Sequence, residues 1–376
     1  MGAVFGVADA QGEKWRKLRK AVNGPFTLPK MKKYMEFFTK SNNFMLEFLG
    51  EEAAKGEKMD VRELSRRYII NTIGAVGLGM DVNAFKDKDC ELMKQGSALG
   101  EMWRFMVVMM MPSIATLFRV QVYNPKAESW FTTVMRRLIK SNQGGNDVLS
   151  TLIKIHQEDP ENFDQTNVEK TMLQFFFDGY HTSADATTGV IAFLVTNPEC
   201  MSKLRDEVDE VFENKDGGDI NLTDSELIGM TYLECVVSEA MRLMGLPATS
   251  RRVNKPWKVP GTEMILPVGV SVFIPWKSLQ MDPEIWENPD EFNPERFNAE
   301  NKAKIQSGTY GPFGLGPRGC LGSSYAKFMM KMMIVYLVRF YDLENCDNLP
   351  KDFKMDPETL FVPMGGLKIK FHKRNV

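Results

Sequence analysis

The 376-residue sequence predicts a mainly α fold with a minor β region, and three features carry that expectation. Charged and apolar faces alternate at helical spacing from residue 13 to residue 250, with no repeat period or low-complexity linker to interrupt them. One stretch, 167–197, holds the pattern long enough for a helix of about 45 Å. After 250 the period changes: "WKVPGTEMILPVGVSVFIP" alternates apolar and polar residues around Gly261 and Gly269, as short paired strands do.

The elements follow in order. "WRKLRK" (15–20) places Trp15 and Arg19 at i and i+4 on one face of a basic amphipathic helix. The run "FMVVMMM" (105–111), inside an apolar stretch at 103–118, reads either as adaptable core filler or as a surface that meets lipid or greasy ligands. "TNVE" (166–169) has the form of a capping box for the long helix, and Asn197-Pro198 closes it. A second amphipathic helix covers 198–212, Gly217-Gly218 marks a loop, and Thr223 with Glu226 forms another capping box ahead of "LECVVSEAMRLMG" (233–245). Past the short strands, a loop rich in Pro and aromatic residues, "MDPEIWENPDEFNPERFN" (281–298), leads to a glycine-rich segment. "SSYAKFMMKMMIVYLVRFY" (323–341) then reads as a helix and "LFVPMGGLKIKF" (360–371) as a closing hairpin.

Composition narrows the function. A hydrophobic fraction of 43% and a charged fraction of 26% are those of an ordinary globular protein, and a net charge of -2 gives no electrostatic reason to bind nucleic acid. Five cysteines, odd in number and scattered without a C-x-x-C pair, suggest neither a disulfide framework nor a structural zinc site and fit a reducing, cytosol-facing setting. The three histidines lie far apart, so a metal would need a different ligand. No run reaches the roughly 18–20 apolar residues of a membrane span, and "MGAVFGVADAQGEKW" lacks the shape of a signal peptide.

The segment "PFGLGPRGCLG" (312–322) holds the densest chemistry. Gly314, Gly316 and Gly319 match G-x-G-x-x-G, but the dinucleotide reading of that motif needs a preceding buried strand, and here "KIQSGTYGPF" precedes it and Pro317 sits within the turn. Ser324-x-x-Lys327 lacks the companion motifs of a β-lactamase-type site. A buried thiol in a glycine-rich connection is the plain alternative. Against it, Cys320 falls where a helix begins, and a helix start favours the thiolate, the form that binds metal. Arg318 supplies a cation for a ligand carboxylate, and glycines at 316, 319 and 322 let a flat, bulky group approach the backbone. Those conditions suit a haem.

Phe313-Gly314-Leu315-Gly316-Pro317-Arg318-Gly319-Cys320-Leu321-Gly322 matches every position of F-G-x-G-x-R-x-C-x-G and so resembles the haem-binding signature of the cytochrome P450 family. Glu239 and Arg242 resemble the E-x-x-R of that family's K helix. "NPERF" (293–297) resembles the segment whose arginine, here Arg296, joins the pair. An isolated pair at this spacing adds little, about 0.2–0.5 kcal/mol, whereas a buried one needs a third partner. The resemblance covers 1–376 as a single domain of the mainly α cytochrome P450 fold, with a long I helix and small sheets. It also implies that an amino-terminal portion of that domain, with its membrane anchor, a sheet-forming stretch and the first helices, is absent from this chain.

What the resemblance implies is specific. Haem b would have its iron ligated axially by Cys320, whose thiolate favours O–O cleavage. Trp15, Arg19, Arg252 and Arg318 would grip the propionates, and Phe313, Gly314, Gly322 and Ala326 would lie against the porphyrin. In "FFFDGYHTSAD" (175–185), Gly179 and Thr182 match the I helix, where the glycine permits local opening and the hydroxyl bonds oxygen and relays protons. Asp178 stands where a small residue is usual and His181 where an acid is usual, so either would take part in proton delivery. In one branch of the family, a carboxylate at the Asp178 position is esterified to a haem methyl. The expected activity is monooxygenation of an apolar substrate (steroid, lipid or foreign chemical) with O2, at the cytosolic face of the endoplasmic reticulum membrane. Electrons would come from NADPH through its cytochrome reductase, with cytochrome b5 as a further partner. Lys14, Arg16, Lys17, Lys20, Lys327 and Lys331 would offer the donor a basic face. Two alternatives stay open: a relative that rearranges or dehydrates peroxides without external electrons, and a non-catalytic haem binder.

Overall fold

The computed structural model describes residues 6–7, 10–101, 104, 107–108, 111–215, 219–246, 248–357, 359 and 361–376. The Gly217-Gly218 loop and most of the 105–111 run lie outside the described residues. Two compact units are present, one made of Met1–Met230 with Leu321–Val376 and the other of Thr231–Cys320.

In the first unit, α1 (Gly12–Asn23) and α2 (Leu28–Lys55) precede a short strand, β1 (Met59–Asp60), and α3 (Val61–Thr72). α3 runs on into a π-helical turn, Ile73–Gly77. Then come α4 (Glu91–Leu99), α5 (Pro112–Leu117), α6 (Pro125–Ser141) and α7 (Val148–Glu158). The long helix α8 spans Gln165–Thr196, 32 residues, and its residues from Ser183 to Leu194 are all buried. A stretch buried all round belongs inside a core, and its polar members are bonded there, Thr187 to the Ser183 carbonyl at 2.7 Å and Thr188 to the Ala184 carbonyl at 2.9 Å. Its cap is Asp164, which accepts the Asn167 amide at 2.8 Å, rather than the expected Thr166. A carboxylate two residues upstream caps as well as a hydroxyl and also complements the helix dipole. Asn197 ends the helix as expected, and α9 (Pro198–Glu213) follows directly. The Thr223–Glu226 capping box is present, but it opens a one-turn helix, α10 (Asp224–Gly229), that stops at Met230 instead of running on.

The second unit begins with α11 (Thr231–Met244). The strands expected after 250 are β2 (Thr249–Arg252), β3 (Trp257–Lys258), β4 (Ile265–Leu266) and β5 (Ser271–Ile274). They pair antiparallel as β2 with β5 and β3 with β4, Thr249 lying opposite Ile274 and Trp257 opposite Leu266. Among the described residues the unit also holds α12 (Trp276–Gln280), a 3-10 turn at Pro294–Phe297 and α13 (Ala299–Lys302). Its core is Cys235, Trp286 and Phe297, with Ile285, Ile305 and Tyr310 packed on them.

The chain then returns to the first unit in α14 (Ser323–Phe340), β6 (Tyr341–Asn345) and β7 (Lys368–Lys373). The closing segment departs from expectation. Among the described residues of 360–371 there is no hairpin: β7 is the middle strand of a sheet ordered β1-β7-β6, with Tyr341 opposite Lys373 and Met59 opposite Ile369. Gly365 and Gly366 adopt positive φ (86° and 84°), a turn that sends the chain to a distant partner, while Pro363 bridges Met355. Among the described residues no helix is long and apolar enough to cross a membrane.

Candidate functional site

The cysteine loop is built from backbone hydrogen bonds. The Gly314 amide donates to the Gly311 carbonyl and the Gly319 amide to the Gly316 carbonyl, both at 2.9 Å, and the Cys320 amide donates to the Phe313 carbonyl at 2.8 Å. Two turns in ten residues require left-handed backbone at Gly314 and Gly316 (φ 71° and 79°). At Gly319 space is the limit: a Cβ there would stand 3.2 Å from the carbonyl oxygens of both Gly314 and Gly316. The loop thus closes on itself and delivers Cys320 at its end with the residue exposed, whereas Cys90, Cys200 and Cys235 are buried. α14 begins three residues later with Gly322 as its cap, which has no side chain to bond the first amides. Arg318 and Phe313 are half-buried, and Gly322 and Ala326 are partly accessible. Arg252 is exposed at the end of β2.

Behind the loop lies a satisfied ionic core. Glu239 and Arg242 are both 0% exposed. The Arg242 guanidinium grips the carboxylate twice, Nε to Oε2 at 2.7 Å and Nη2 to Oε1 at 2.9 Å, and Arg296 Nε reaches Oε1 at 3.2 Å. Further donors are used as well. Arg242 Nη1 donates to the Gln280 carbonyl at 2.7 Å, Arg296 Nη2 to the Asn288 carbonyl at 2.8 Å, and the Asn293 amide to Glu239 Oε1 at 3.0 Å. The guanidinium also stacks 5.2 Å from the Trp286 ring. Tyr310, just before the loop, donates to the Ser238 carbonyl at 3.0 Å. The structure therefore brings Glu239, Arg242 and Arg296 into one buried cluster that ties 288–296 to α11.

On α8, Asp178 and Thr182 are both exposed and one turn apart, and the Thr182 hydroxyl donates to the Asp178 carbonyl. His181 is turned elsewhere: its Nε2 lies 3.3 Å from the Gly96 carbonyl, and its ring packs 4.7 Å from that of Tyr180. Burial, reinforced by the charge of Arg66, lowers its pKa, so the imidazole is neutral. The helix runs unbroken through Gly179, whose nearest neighbour for a Cβ is Ile73 at 3.5 Å. Closer packing occurs at Gly77 of the π-helical turn, where a Cβ would meet Phe175 at 2.7 Å.

Sequence reasoning missed one element of this region. Arg62 on α3 clamps Asp185, three residues beyond Thr182, with bonds of 2.7 and 2.9 Å. The partners are 123 residues apart in sequence, so no local pattern announces them.

Trp15 and Arg19 are half-buried on one face of α1, while Lys14, Arg16, Lys17 and Lys20 are exposed on the other. The expected basic face loses a member, however: Lys331 is only 7% exposed. It lies in 328–338 of α14, a stretch buried throughout, and so is not part of a surface.

The Cytochrome P450 family model matches residues 3–371. This chain belongs to the cytochrome P450 family. Cytochrome P450 3A30 of Fundulus heteroclitus is 28% identical over 389 residues, covering 98% of this chain and 77% of that protein. Lithocholate 6-beta-hydroxylase of Mesocricetus auratus is 25% identical over 382 residues, covering 97% of this chain and 75% of its own length. A cytochrome P450 is a haem monooxygenase whose iron takes a cysteine thiolate, and it uses O2, a small-molecule substrate and redox partners. The residues present fit such a group. Among the described residues no three of His, Cys, Asp and Glu gather to hold a bare metal ion, whereas an iron already carrying four porphyrin nitrogens needs one protein donor. Cys320, exposed at the end of a rigid glycine loop, has the chemistry for that single bond.

Proposed function

We propose that this cytochrome P450 inserts one oxygen atom of O2 into an apolar ring-bearing or lipid-like substrate, with electrons from NADPH through a reductase and with cytochrome b5 as an accessory partner. The exposed Cys320 at the end of its glycine-braced loop carries the reading. When bound, haem b supplies the activation of dioxygen that splits it between the substrate and water. The Cys320 thiolate holds the iron, and Arg318, Arg252, Arg19 and Trp15 bind the propionates through fixed, permanently charged forks and an indole donor. Phe313, Gly314, Gly322 and Ala326 would line the porphyrin. Thr182 and Asp178 handle protons, the hydroxyl and carboxylate being one helical turn apart on an accessible side of α8. His181, expected to share that task, faces the Gly96 carbonyl with its imidazole held neutral, so its part is to pack α8 against that segment. Gly179 gives the helix its freedom between these groups.

The substrate class is supported by a relative named for hydroxylating lithocholate, a steroid acid. We place the protein at the cytosolic face of the endoplasmic reticulum membrane. Met111, Ile114, Leu117 and Phe118, at 53%, 45%, 76% and 71% exposure, form an apolar tip suited to a lipid surface. Exposed Lys14, Arg16, Lys17 and Lys20 suit an acidic electron donor.

The ferrous–carbon monoxide spectrum of the purified protein, recorded beside Cys320→Ser, tests the assignment. A thiolate-type Soret band lost in the variant is expected. The same band in both proteins, or no haem uptake by the wild type, would overturn it. NADPH-dependent turnover with reductase separates monooxygenation from peroxide rearrangement, which needs no external electrons.

A further inference from the structure

We propose that Gln280 is a positioning residue for the cysteine loop, linking the Glu239–Arg242–Arg296 cluster to the backbone that presents Cys320. The proposal rests on the reading that Cys320 ligates the haem. Gln280 is 0% exposed, and its carboxamide is satisfied at both ends. Nε2 donates to the Arg242 carbonyl at 3.0 Å, and Oε1 accepts the Gly311 amide at 2.9 Å. Its own carbonyl accepts Arg242 Nη1 at 2.7 Å, so Gln280 and Arg242 are bonded reciprocally. From Gly311 the connection continues through backbone: the Gly311 carbonyl accepts the Gly314 amide, and the Phe313 carbonyl accepts the Cys320 amide. A short hydrogen-bonded path thus runs from the buried ion pair to the amide of the proposed ligand.

The surroundings exclude a mere space-filling role. An apolar side chain would fill the same volume, but it would leave a buried N–H and a buried C=O without partners, and each orphan is costly. Only a side chain with one donor and one acceptor at carboxamide spacing satisfies both. The Trp276 ring also closes on Gly311 and leaves no room for a Cβ, with contacts of 2.6, 2.8 and 2.9 Å, and the indole is fixed by its bond to Thr249 Oγ1 at 3.0 Å. The start of the loop thus meets both that ring and the Gln280 carboxamide, which α12 carries.

The test pairs two readouts in wild type, Gln280→Met (similar volume, no hydrogen bonds) and Gln280→Glu (acceptor for Gly311 retained). The first is hydrogen exchange of the peptide containing the Gly311 amide in the purified protein. The second is the rate at which the ferrous–carbon monoxide complex loses its thiolate-type band. Loss of one buried hydrogen bond should speed Gly311 exchange about tenfold in Gln280→Met. The band should also decay several-fold faster, with Gln280→Glu falling closer to wild type in both. Unchanged exchange, or faster exchange with unchanged band decay, would overturn the positioning role. If Gln280→Met does not fold, Gln280→Asn, which keeps the polar group one methylene short, must show both effects or the proposal fails. A thiolate-type band that survives in Cys320→Ser would instead refute the ligand reading, leaving the exchange result to stand by itself.

Discussion

Glu239 is one carboxylate asked to satisfy four donors: two from Arg242, one from Arg296 and the Asn293 amide. With the pair at 0% exposure, removing its negative charge strands a buried guanidinium. Glu239→Gln should therefore cost about 3–5 kcal/mol, and Arg296→Ala, which removes one charged bond, about 1.5–3 kcal/mol; chemical denaturation midpoints check both. His181 makes a different statement. Burial first, and Arg66 second, lower its pKa in the folded protein, against an Asp185 charge that opposes them. Below pH 6.5 the unfolded chain takes up a proton that the folded chain refuses, so stability falls as pH drops through 6.5 toward the folded value. His181→Gln cannot titrate in either state. Its stability should decline less than that of wild type between pH 7.5 and pH 5, and denaturation at the two pH values measures the difference, because the carboxylates common to both proteins cancel.

At the scale of elements, the cysteine loop separates two uses of glycine. Gly316 is needed for its backbone, since its φ of 79° costs a side-chain-bearing residue about 1–2 kcal/mol. Gly322 has ordinary backbone, and a Cβ there would meet nothing within 4 Å. Gly316→Ala should accordingly lower the melting temperature of haem-free protein. Gly322→Ala should leave that melting temperature unchanged yet weaken haem retention if the porphyrin lies where we propose, and a haem-transfer assay reads that loss. The same contrast shows what the sequence could reveal. The loop, the long helix and the Thr223 capping box are written in adjacent residues, where local sterics decide, so they were legible. The pairing of β7 was not, because its partners lie at 341–345 and 59–60, and strand pairing across such distances depends on the packed core rather than on local pattern. Lys331 misled for a related reason: a lysine among the methionines of 328–333 gives no sign of whether its face is covered. The Arg62–Asp185 clamp and the Gln280 bridge join residues from separate elements and were equally hidden.

At the scale of the whole chain, the first unit is discontinuous in sequence, and its closing residues act as a fastener. β7 is hydrogen-bonded on both edges, to β1 near the start of the unit and to β6 near its end. It buries Ile369 (0% exposed) and Phe371 (4%), the latter packed edge-on to Tyr341 at 5.9 Å. Just beyond it, Arg374 holds the Asp209 carboxylate of α9 at 2.7 and 3.1 Å, and Arg339 shares that carboxylate at 2.7 Å. Burial alone would raise the Asp209 pKa, yet the two arginines hold it below the usual carboxylate value, so the pair strengthens folding wherever Asp209 is ionised. Arg374→Ala removes one charged partner and leaves the other, and should cost about 1.5–3 kcal/mol while unfolding stays cooperative. Deleting 368–376 removes the middle strand as well, exposing the facing edges of β1 and β6 and two core side chains together. That loss exceeds what a single substitution can cause. We expect the deletion variant to lose its cooperative calorimetric transition and to be cleaved rapidly by a non-specific protease within 323–345, while Arg374→Ala resists. A deletion variant that melted as sharply as wild type would mean that the fastener is elsewhere.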